Sequence, residues 1–380
     1  TFPYLLTISL VALLGGVLNG LGRYAAFAAA PILLNVVMIA ALLSVHHSPA
    51  HTARALAVAL SLAGVVQLVF VAVAARRAGF ALRLRRPRLS PPVRRLLSTM
   101  APVVVGAGVM QINLLVDVVL ASRYLPEGAL SFLYYADRLN QLPLGVIGIA
   151  VGTVLLPTIT RALSNGDEAL GLDRLNRGLE FALFLTVPAA LALALVPETL
   201  LRPIYQSGAF TAADTRATAL ALTAYAAGLP AYVLVKVLTP AFYARQDTRT
   251  PVTVSMLAVG VNLVLNLLLI GPLAHAGLAL ATAIAAWTNA IGLLALLIRR
   301  GQYRADPRLL RMLPRLGLSA AVMGGVVWAL AGMFGDPAAK TDQVVAVVAV
   351  VGAGLAVYAL AAWVTRAVAV TEIKGLIRRA

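Results

Sequence analysis

Two cations that fall inside apolar stretches are the first residues of this sequence that could do chemistry. Arg138 and Lys236 interrupt segments that otherwise consist mostly of apolar side chains. Moving Arg or Lys to the centre of a bilayer costs about 2.5 to 3.5 kcal/mol on insertion scales, so each is expected to face a wet cavity or a partner. A guanidinium suits bidentate contact with phosphate or pyrophosphate. Arg138 is therefore a candidate anion-binding residue.

The segment that carries Arg138 reads YYADRLNQLPLGVIGIAVGTVLLPTITR and is longer than a straight membrane span needs. Pro143 and Pro157 remove backbone hydrogen bonds and predict kinks in it. Arg138, Gln141 and Gly145 follow one another at i, i+3 and i+7, which places them on one face of a helix. The spacing predicts a polar stripe that faces a cavity.

A structural ion pair is the alternative role for Arg138. Its possible partners are Asp137 and Asp117, the two acids that lie well inside apolar stretches. Adjacent residues do not share a helix face, which disfavours a pair with Asp137. The sequence leaves both roles open.

A second group of candidates shares one depth in the membrane. Asp117 and Asn266 each lie about five residues from the outer ends of their predicted helices, and Thr282 lies about seven residues from its own. Asn262 is one turn from Asn266 on the same face. A carboxylate, two amide carbonyls and a hydroxyl are hard-oxygen ligands that suit a small cation such as Na+. Interhelical hydrogen bonding without an ion is the alternative.

Other chemistry finds little support. The chain has no Cys, so thiolate nucleophiles and Cys-based metal sites are excluded, and it lacks the Walker-type motif of nucleotide hydrolysis. The segment HHSPAH holds His46, His47 and His51, which could in principle bind a metal. Because no carboxylate or Cys accompanies them, a solvated loop is expected instead. An enzyme acting on lipid would need convergent acids, His or a metal. We therefore predict that the protein is not an enzyme and has no cofactor beyond the candidate Na+.

The elements that must position these residues are membrane helices. A chain with 61% hydrophobic residues, 12% charged residues and a mean hydropathy of +0.91 cannot give its helices the polar face that water requires. We assign the net charge of +17 to cytoplasmic loops and not to nucleic-acid binding. The sequence predicts an all-α fold with eleven spans, near 2–22, 24–45, 54–75, 97–122, 132–160, 178–197, 216–243, 251–271, 275–298, 313–334 and 343–365.

The orientation follows from the basic residues. Of the 31 Lys and Arg, twenty-four fall in one alternating set of connections and five in the other, with Arg138 and Lys236 inside helices. The richer set is expected to be cytoplasmic, which places the C-terminus inside. An odd number of crossings then places residue 1 outside. Because an intact bacterial transporter commonly starts inside, we expect an odd number of helices to precede this sequence.

The basic segment from Arg76 to Arg95 contains Pro87, Pro91 and Pro92 and is the clearest internal boundary. It predicts four parts. Residues 1–75 would form the remainder of an N-terminal lobe with three helices, and residues 76–95 a cytoplasmic linker. Residues 96–300 would form a C-terminal lobe of six helices, and residues 301–380 two extra helices.

Three stretches carry a resemblance to a known family. These are YYADRLNQLPLGVIGIAVGTVLLPTIT, VKVLTPAFYARQDTRTPV and NLLLIGPLAHAGLALATAI. Together they closely resemble the MurJ (MviN) lipid II flippases of the multidrug/oligosaccharidyl-lipid/polysaccharide exporter superfamily, and the likeness runs through the whole chain. Members have fourteen helices, so the sequence would correspond to helices four to fourteen.

The resemblance implies several site residues. Arg138 matches a cavity arginine of the eighth family helix with Asp137 beside it, and some relatives have Glu in place of Gln141. With Lys236, these are the candidate substrate-binding residues. The family's sodium site falls on positions matching Asp117, Asn262, Asn266 and Thr282, although a second Asp is expected at Asn266, so this site has one charge fewer. The last two helices look like the pair that lines a groove for the polyprenyl tail.

The resemblance implies a transporter that moves lipid-linked peptidoglycan precursor from the inner to the outer leaflet of the bacterial cytoplasmic membrane by alternating access. We expect a monomer that contacts lipid II and membrane lipids. An exporter of another polyprenyl-linked glycan is the alternative. A drug exporter should line its cavity with acids and aromatics, which an arginine argues against, and a polyprenyl-handling transferase would need an acid cluster for a metal.

Overall fold

The fold is all-α, as the composition predicts. The computed structural model describes residues 2–44, 49–80, 91, 93–94, 100, 111, 115–150, 156–335, 337 and 339–367. Its helices in this part of the chain are α1 (Phe2–Gly20), α2 (Tyr24–Ser44), α3 (Pro49–Arg77), α4 (115–124), α5 (Ala129–Ala150), α6 (Leu156–Ser164), α7 (Glu168–Leu195), α8 (Pro197–Tyr205), α9 (Ala212–Tyr243), α10 (Arg249–Arg299), α11 (Pro307–Phe334) and α12 (Lys340–Val364). The described part contains eight helices that are long and apolar enough to cross a membrane.

The helix boundaries differ from the predicted spans in three places. The predicted span 132–160 corresponds to two helices, α5 and α6, with residues 151–155 outside the described part. The spans 251–271 and 275–298 are two arms of α10. Helix α8 was not predicted, because nine residues are too short to register as a span. The span 97–122 lies mostly outside the described residues, as do His46, His47, residues 81–90 and residues 368–380.

The chain forms two compact units, Thr1–Arg95 and Leu96–Ala380. In the first unit α3 packs against α1 and α2 around apolar side chains that include Val11, Leu18 and Val71. The side-chain amide of Gln67 is buried there and donates a hydrogen bond of 2.8 Å to the carbonyl of Ala30. This bond pairs a polar group that would otherwise be buried at a cost.

The second unit is built around α9, which packs against α5, α7, α8 and α10. Its first turn is closed by a capping box, in which Thr211 and Asp214 satisfy each other's backbone amides. Pro230 and Pro240 lie inside the helix without ending it. Because α9 is central, it carries Lys236 on a helix that neighbouring helices hold in place.

Helix α10 is a tight antiparallel hairpin. Ala274 has a φ of 49° and a ψ of −132°, so the helix breaks there into arms 249–273 and 275–299. Contacts between the arms pair Ser255 with Asn289 and Asn262 with Thr282. At Gly277 a Cβ would collide with the backbone carbonyl of Leu269, so only glycine permits this approach. The hairpin brings polar residues from both arms to one seam.

Helices α11 and α12 form a pair that packs on α7 and α8. The hydroxyl of Tyr358 on α12 donates a 2.6 Å hydrogen bond to the carbonyl of Phe184 on α7. Asp306 caps α11 by accepting from the amide of Leu309. A buried cluster that includes Met312, Leu316, Met323 and Val350 joins the pair to the rest of the second unit.

Candidate functional site

The four residues predicted as cation ligands lie in one continuous chain of hydrogen bonds in the second unit. The amide nitrogen of Asn266 donates to the Asp117 carboxylate at 2.6 Å and to the Asn262 carbonyl oxygen at 2.9 Å. The amide nitrogen of Asn262 donates to the Thr282 hydroxyl at 3.3 Å, and that hydroxyl donates to the carbonyl of Leu278. Helix α4 thus supplies the acid and the two arms of α10 supply the rest.

The two asparagines of this cluster, both on the first arm of α10, are closed to solvent. Asn266 is 0% exposed and Asn262 is 2% exposed, whereas Asp117 and Thr282 are half-buried. The carbonyl oxygen of Asn266 is buried and accepts no hydrogen bond within the described structure. A buried acceptor without a donor costs free energy, and a cation is one group that would satisfy it. The donor set of hard oxygens fits Na+ better than a softer transition metal.

The cluster is not a site rich in acids. Across the residues that the structure describes, no group of three or more His, Asp or Glu could hold a metal ion. Asp117 is the one full charge among the four candidates. A monovalent cation therefore matches the charge of the cluster better than a divalent one.

Arg138 lies on an exposed face of α5 and holds no carboxylate. Gln141 and Gly145 are exposed on the same helix, as the predicted stripe requires. Among the described residues Arg138 forms no ion pair, and its guanidinium carbon lies 4.9 Å from the centre of the Tyr134 ring. Arg138 therefore forms no ion pair with Asp137 or Asp117, which was the alternative role for it. The guanidinium keeps its donors for another acceptor.

Asp137 is occupied by a neighbour on its own helix. The side-chain amide of Gln141 donates a short hydrogen bond to the Asp137 carboxylate, one turn away. Asp137 is half-buried and Gln141 is exposed. Asp137 thus has a hydrogen-bond partner on its own helix.

Lys236 on α9 meets the far end of α5. Its ammonium lies so close to Gly148 that a Cβ at that position would stand 2.8 Å from the nitrogen. Lys236 is exposed, like Arg138, but Gly148 and Arg138 are separated by ten residues, or about 15 Å along a helix. Arg138 and the Lys236 ammonium therefore lie at two separate places along the length of α5 and do not form a single cationic site.

An aromatic cluster near Arg138 was not predicted. The Tyr135 ring lies 4.6 Å from Tyr205 and 5.5 Å from Phe210, and Tyr134 meets Tyr135 edge to face at 5.8 Å. Burial raises the pKa of the Tyr205 hydroxyl, against the opposing effect of the positive charge on Arg138. The YY pair before the arginine is a sequence signal from which part of the cluster could have been predicted.

Two polar networks fix the loops at the other end of the second unit. Tyr303 donates to the Asn176 side chain at 3.0 Å, which also receives the backbone amide of Asp306, and burial raises the pKa of Tyr303 to about 12. In the second network Arg300 donates to Asp247 at 2.7 Å. Hydrogen bonds from Thr250, followed by the Arg300 contact, hold the pKa of Asp247 below its ordinary value. Both networks anchor chain reversals and contact none of the predicted site residues.

An apolar groove of about 530 Å³ runs between α7, α9 and α11. Bulky side chains such as Leu191 and Leu195 line one wall, and small residues line the other, including Gly317, Ala320 and Gly325. A Cβ added at Gly317 or Gly325 would meet nothing within 4 Å. The lining of the groove is apolar, as a hydrocarbon chain would require.

Comparison with known proteins places these features in a family. The profile of the family described as "Lipid II flippase MurJ" matches residues 1–366. The chain belongs to the MurJ family. A "Probable lipid II flippase MurJ" of Rhizobium tropici is 46% identical over 86% of this chain, and one of Rhizobium meliloti (strain 1021) is 41% identical over the full length of this chain.

The chain spans 61% of the Rhizobium tropici MurJ relative and 72% of the Rhizobium meliloti one. A solved structure of "Lipid II flippase MurJ, inward closed conformation" matches with a TM-score of 0.73 at 24% identity, over 95% of this chain and 72% of that one. At this identity the likeness concerns the fold. It confirms the predicted MurJ-type helical architecture.

Proposed function

We propose that the complete protein moves lipid II, the polyprenyl-diphosphate-linked peptidoglycan precursor, from the inner to the outer leaflet of the bacterial cytoplasmic membrane. The names of its MurJ relatives support this activity. The observation that carries it is Arg138, a guanidinium on a helix between apolar segments whose N–H donors no described carboxylate occupies. Such a group suits a diphosphate better than a neutral or cationic cargo.

Transport in this proposal is a sequence of binding and conformational steps without covalent chemistry. Arg138 contacts the diphosphate, and Gln141, Asp137 and Lys236 line the path of the headgroup. Alternating access exposes Arg138 first to one side of the membrane and then to the other. The protein is then a transporter, not an enzyme, and acts as a monomer without a nucleic-acid partner.

The groove between α7, α9 and α11 is proposed to carry the polyprenyl chain. Its lining is apolar, and small residues on α11 leave room for branched isoprene units. A tail held there stays in a hydrocarbon environment while the charged headgroup crosses. This avoids the cost of exposing the chain to water.

Na+ is proposed to bind Asp117, Asn262, Asn266 and Thr282. The contiguous hydrogen bonds of the four residues and the unpaired oxygen of Asn266 support the site. An ion can shift a conformational equilibrium only by its difference in affinity for the two states. We propose that Na+ favours one orientation of the transporter through Asp117, since α4 and α10 must come together to bind it.

The orientation and the division of the chain are part of the proposal. The basic connections, including residues 76–95, lie in the cytoplasm with the C-terminus. Residues 1–75 belong to an N-terminal lobe, residues 96–300 form the C-terminal lobe, and residues 301–380 add two helices. The HHSPAH segment lies on the periplasmic side.

Replacement of Arg138 tests the function. In the complete protein Arg138→Ala should abolish lipid II transport while membrane insertion is retained, and Arg138→Lys should restore part of it because a point charge cannot form the bidentate contact. Arg123→Ala removes an exposed arginine at the end of α4 and is the matched control. A leaflet-resolved assay of the precursor measures transport. Normal growth of a strain that depends on the Arg138→Ala protein would refute the assignment.

A further inference from the structure

The contact between Arg138 and Tyr134 suggests how a transport arginine can be held ready for an anion. The guanidinium carbon lies 4.9 Å from the ring centre, inside the range of about 6 Å in which a cation is attracted to an aromatic face. The two residues are four apart on α5, so the helix itself brings them together. The Tyr134 side of this pair is open, because Tyr134 is 54% exposed.

An aromatic partner differs from a carboxylate in what it leaves free. A carboxylate would neutralise the guanidinium and occupy its N–H donors, and an incoming diphosphate would have to displace it. An aromatic ring attracts the cation without offering carboxylate oxygens. It also restricts a flexible side chain before the ligand arrives, which lowers the entropy lost on binding.

Tyr134 is itself held in place by other rings. It meets Tyr135 edge to face at 5.8 Å, and Tyr135 packs on Tyr205 of α8 and on Phe210 in the following connection. Tyr135, Tyr205 and Phe210 are half-buried, whereas Tyr134 is exposed. The orientation of the exposed ring is thus tied to the packed interior of the second unit.

The nearest acid in the sequence has a hydrogen-bond partner other than the arginine. Asp137 is adjacent to Arg138, but Gln141 donates a hydrogen bond to its carboxylate. The pair formed by Asp137 and Gln141 and the pair formed by Arg138 and Tyr134 are each four residues apart on α5. Asp137 is therefore hydrogen-bonded to Gln141, and the guanidinium of Arg138 lies against the Tyr134 ring.

We propose that Tyr134 is the positioning residue for Arg138, holding its guanidinium free of carboxylates so that it can contact the diphosphate of a polyprenyl-linked substrate through two parallel hydrogen bonds. This inference rests on the proposed function, in which Arg138 contacts that diphosphate. Tyr134 acts through the arginine and does not itself contact the phosphates.

Equilibrium binding of lipid II to the complete protein in lipid nanodiscs tests the proposal, with inorganic pyrophosphate as a soluble competitor. Tyr134→Leu should weaken the apparent affinity by about 2- to 30-fold, the range that cation–π energies span, while transport at saturating lipid II stays near the wild-type rate. Tyr134→Phe keeps the ring and should remain within about twofold of wild type. Tyr124→Leu, at a similarly exposed tyrosine on α4, should have no effect.

The double variant with Arg138→Ala separates positioning from direct contact. If Tyr134 acts through Arg138, Tyr134→Leu should cause no further loss once the arginine is absent. An equal loss in both backgrounds, or wild-type affinity for Tyr134→Leu, overturns the proposal. Should Tyr134→Leu fail to fold, Tyr134→Met gives the same comparison without a ring. Wild-type affinity for Arg138→Ala alone would instead refute the proposed function.

Discussion

The side-chain amide of Asn266 donates a 2.6 Å hydrogen bond to the carboxylate of Asp117, which lies 149 positions earlier in the sequence. It joins the half-buried Asp117 on α4 to the fully buried Asn266 on the first arm of α10. Because Asn266 also donates to Asn262, both of its N–H groups are used and its carbonyl oxygen is left without a donor. The relationship makes Asp117 the residue on which the cation proposal depends.

Neutralising Asp117 should abolish most of the Na+ response. Asp117→Asn removes the one full charge of the cluster and should weaken Na+ binding at least about tenfold, whereas Thr282→Val removes a neutral ligand and should cost less. Conformational reporters or precursor transport, compared in Na+ and in K+ or choline at several pH values, measure the response. Ser255→Ala, on the same arm of α10, is the control.

The outcomes of that comparison are distinct. A wild-type protein that responds to pH but not to Na+ would make Asp117 a proton site. A protein indifferent to both would reduce the four residues to structural hydrogen bonding.

Filling the apolar groove should impair recognition of the lipid tail. Gly317→Leu and Gly325→Leu add side chains where nothing lies within 4 Å, so they should occupy the groove without disturbing packing. Gly332→Leu is the control, since Gly332 lies on the same helix with open space but outside the groove. Lipid II binding should weaken several-fold, at about 0.8 kcal/mol for each CH₂ group of the tail that loses its burial. Equal effects on a short-chain lipid II analogue would contradict the assignment.

Single-cysteine labelling should establish the orientation. The chain has no native Cys, so each introduced thiol reports one position. Ser207→Cys, in the exposed connection after α8, should react with an impermeant maleimide in intact cells, whereas Arg85→Cys should react only after the membrane is opened. Labelling of position 85 in intact cells would overturn the predicted topology.

Asn176→Ala should destabilise the second unit. Its carbonyl oxygen accepts from Tyr303 and from the amide of Asp306, and buried donors without partners cost about 1 to 3 kcal/mol. Thermal unfolding in detergent should show a Tm lowered by several degrees, while Asn165→Ala, at an exposed turn, should leave it unchanged. An unaltered Tm for Asn176→Ala would show that this network does not hold α11 on α7.

The sequence predicted most of the long helices, and it placed the four polar residues of the cluster at one depth, because both inferences depend on simple spacing. The length of an apolar stretch predicts a membrane span, and counting residues along the helices predicts a shared depth for Asp117, Asn262, Asn266 and Thr282. In the structure these four residues are joined by hydrogen bonds. Whether they bind Na+ stays a prediction. The partner of Arg138 could not be predicted, since i+4 spacing is equally compatible with many contacts and only the rotamer selects Tyr134. The Asn176 network depends on a loop folding back 130 positions along the chain, which no local pattern encodes.

The reversal of α10 at Ala274 also bears on how the protein is made. Its arms, 249–273 and 275–299, meet with scarcely a connecting loop, and each is about 37 Å long, enough to cross the hydrocarbon region. The turn between them offers no hydrophilic segment that could be translocated ahead of the second arm. The two arms are therefore expected to enter the bilayer together as a preformed pair during synthesis, so that a nascent chain halted between them would carry a membrane segment without its partner.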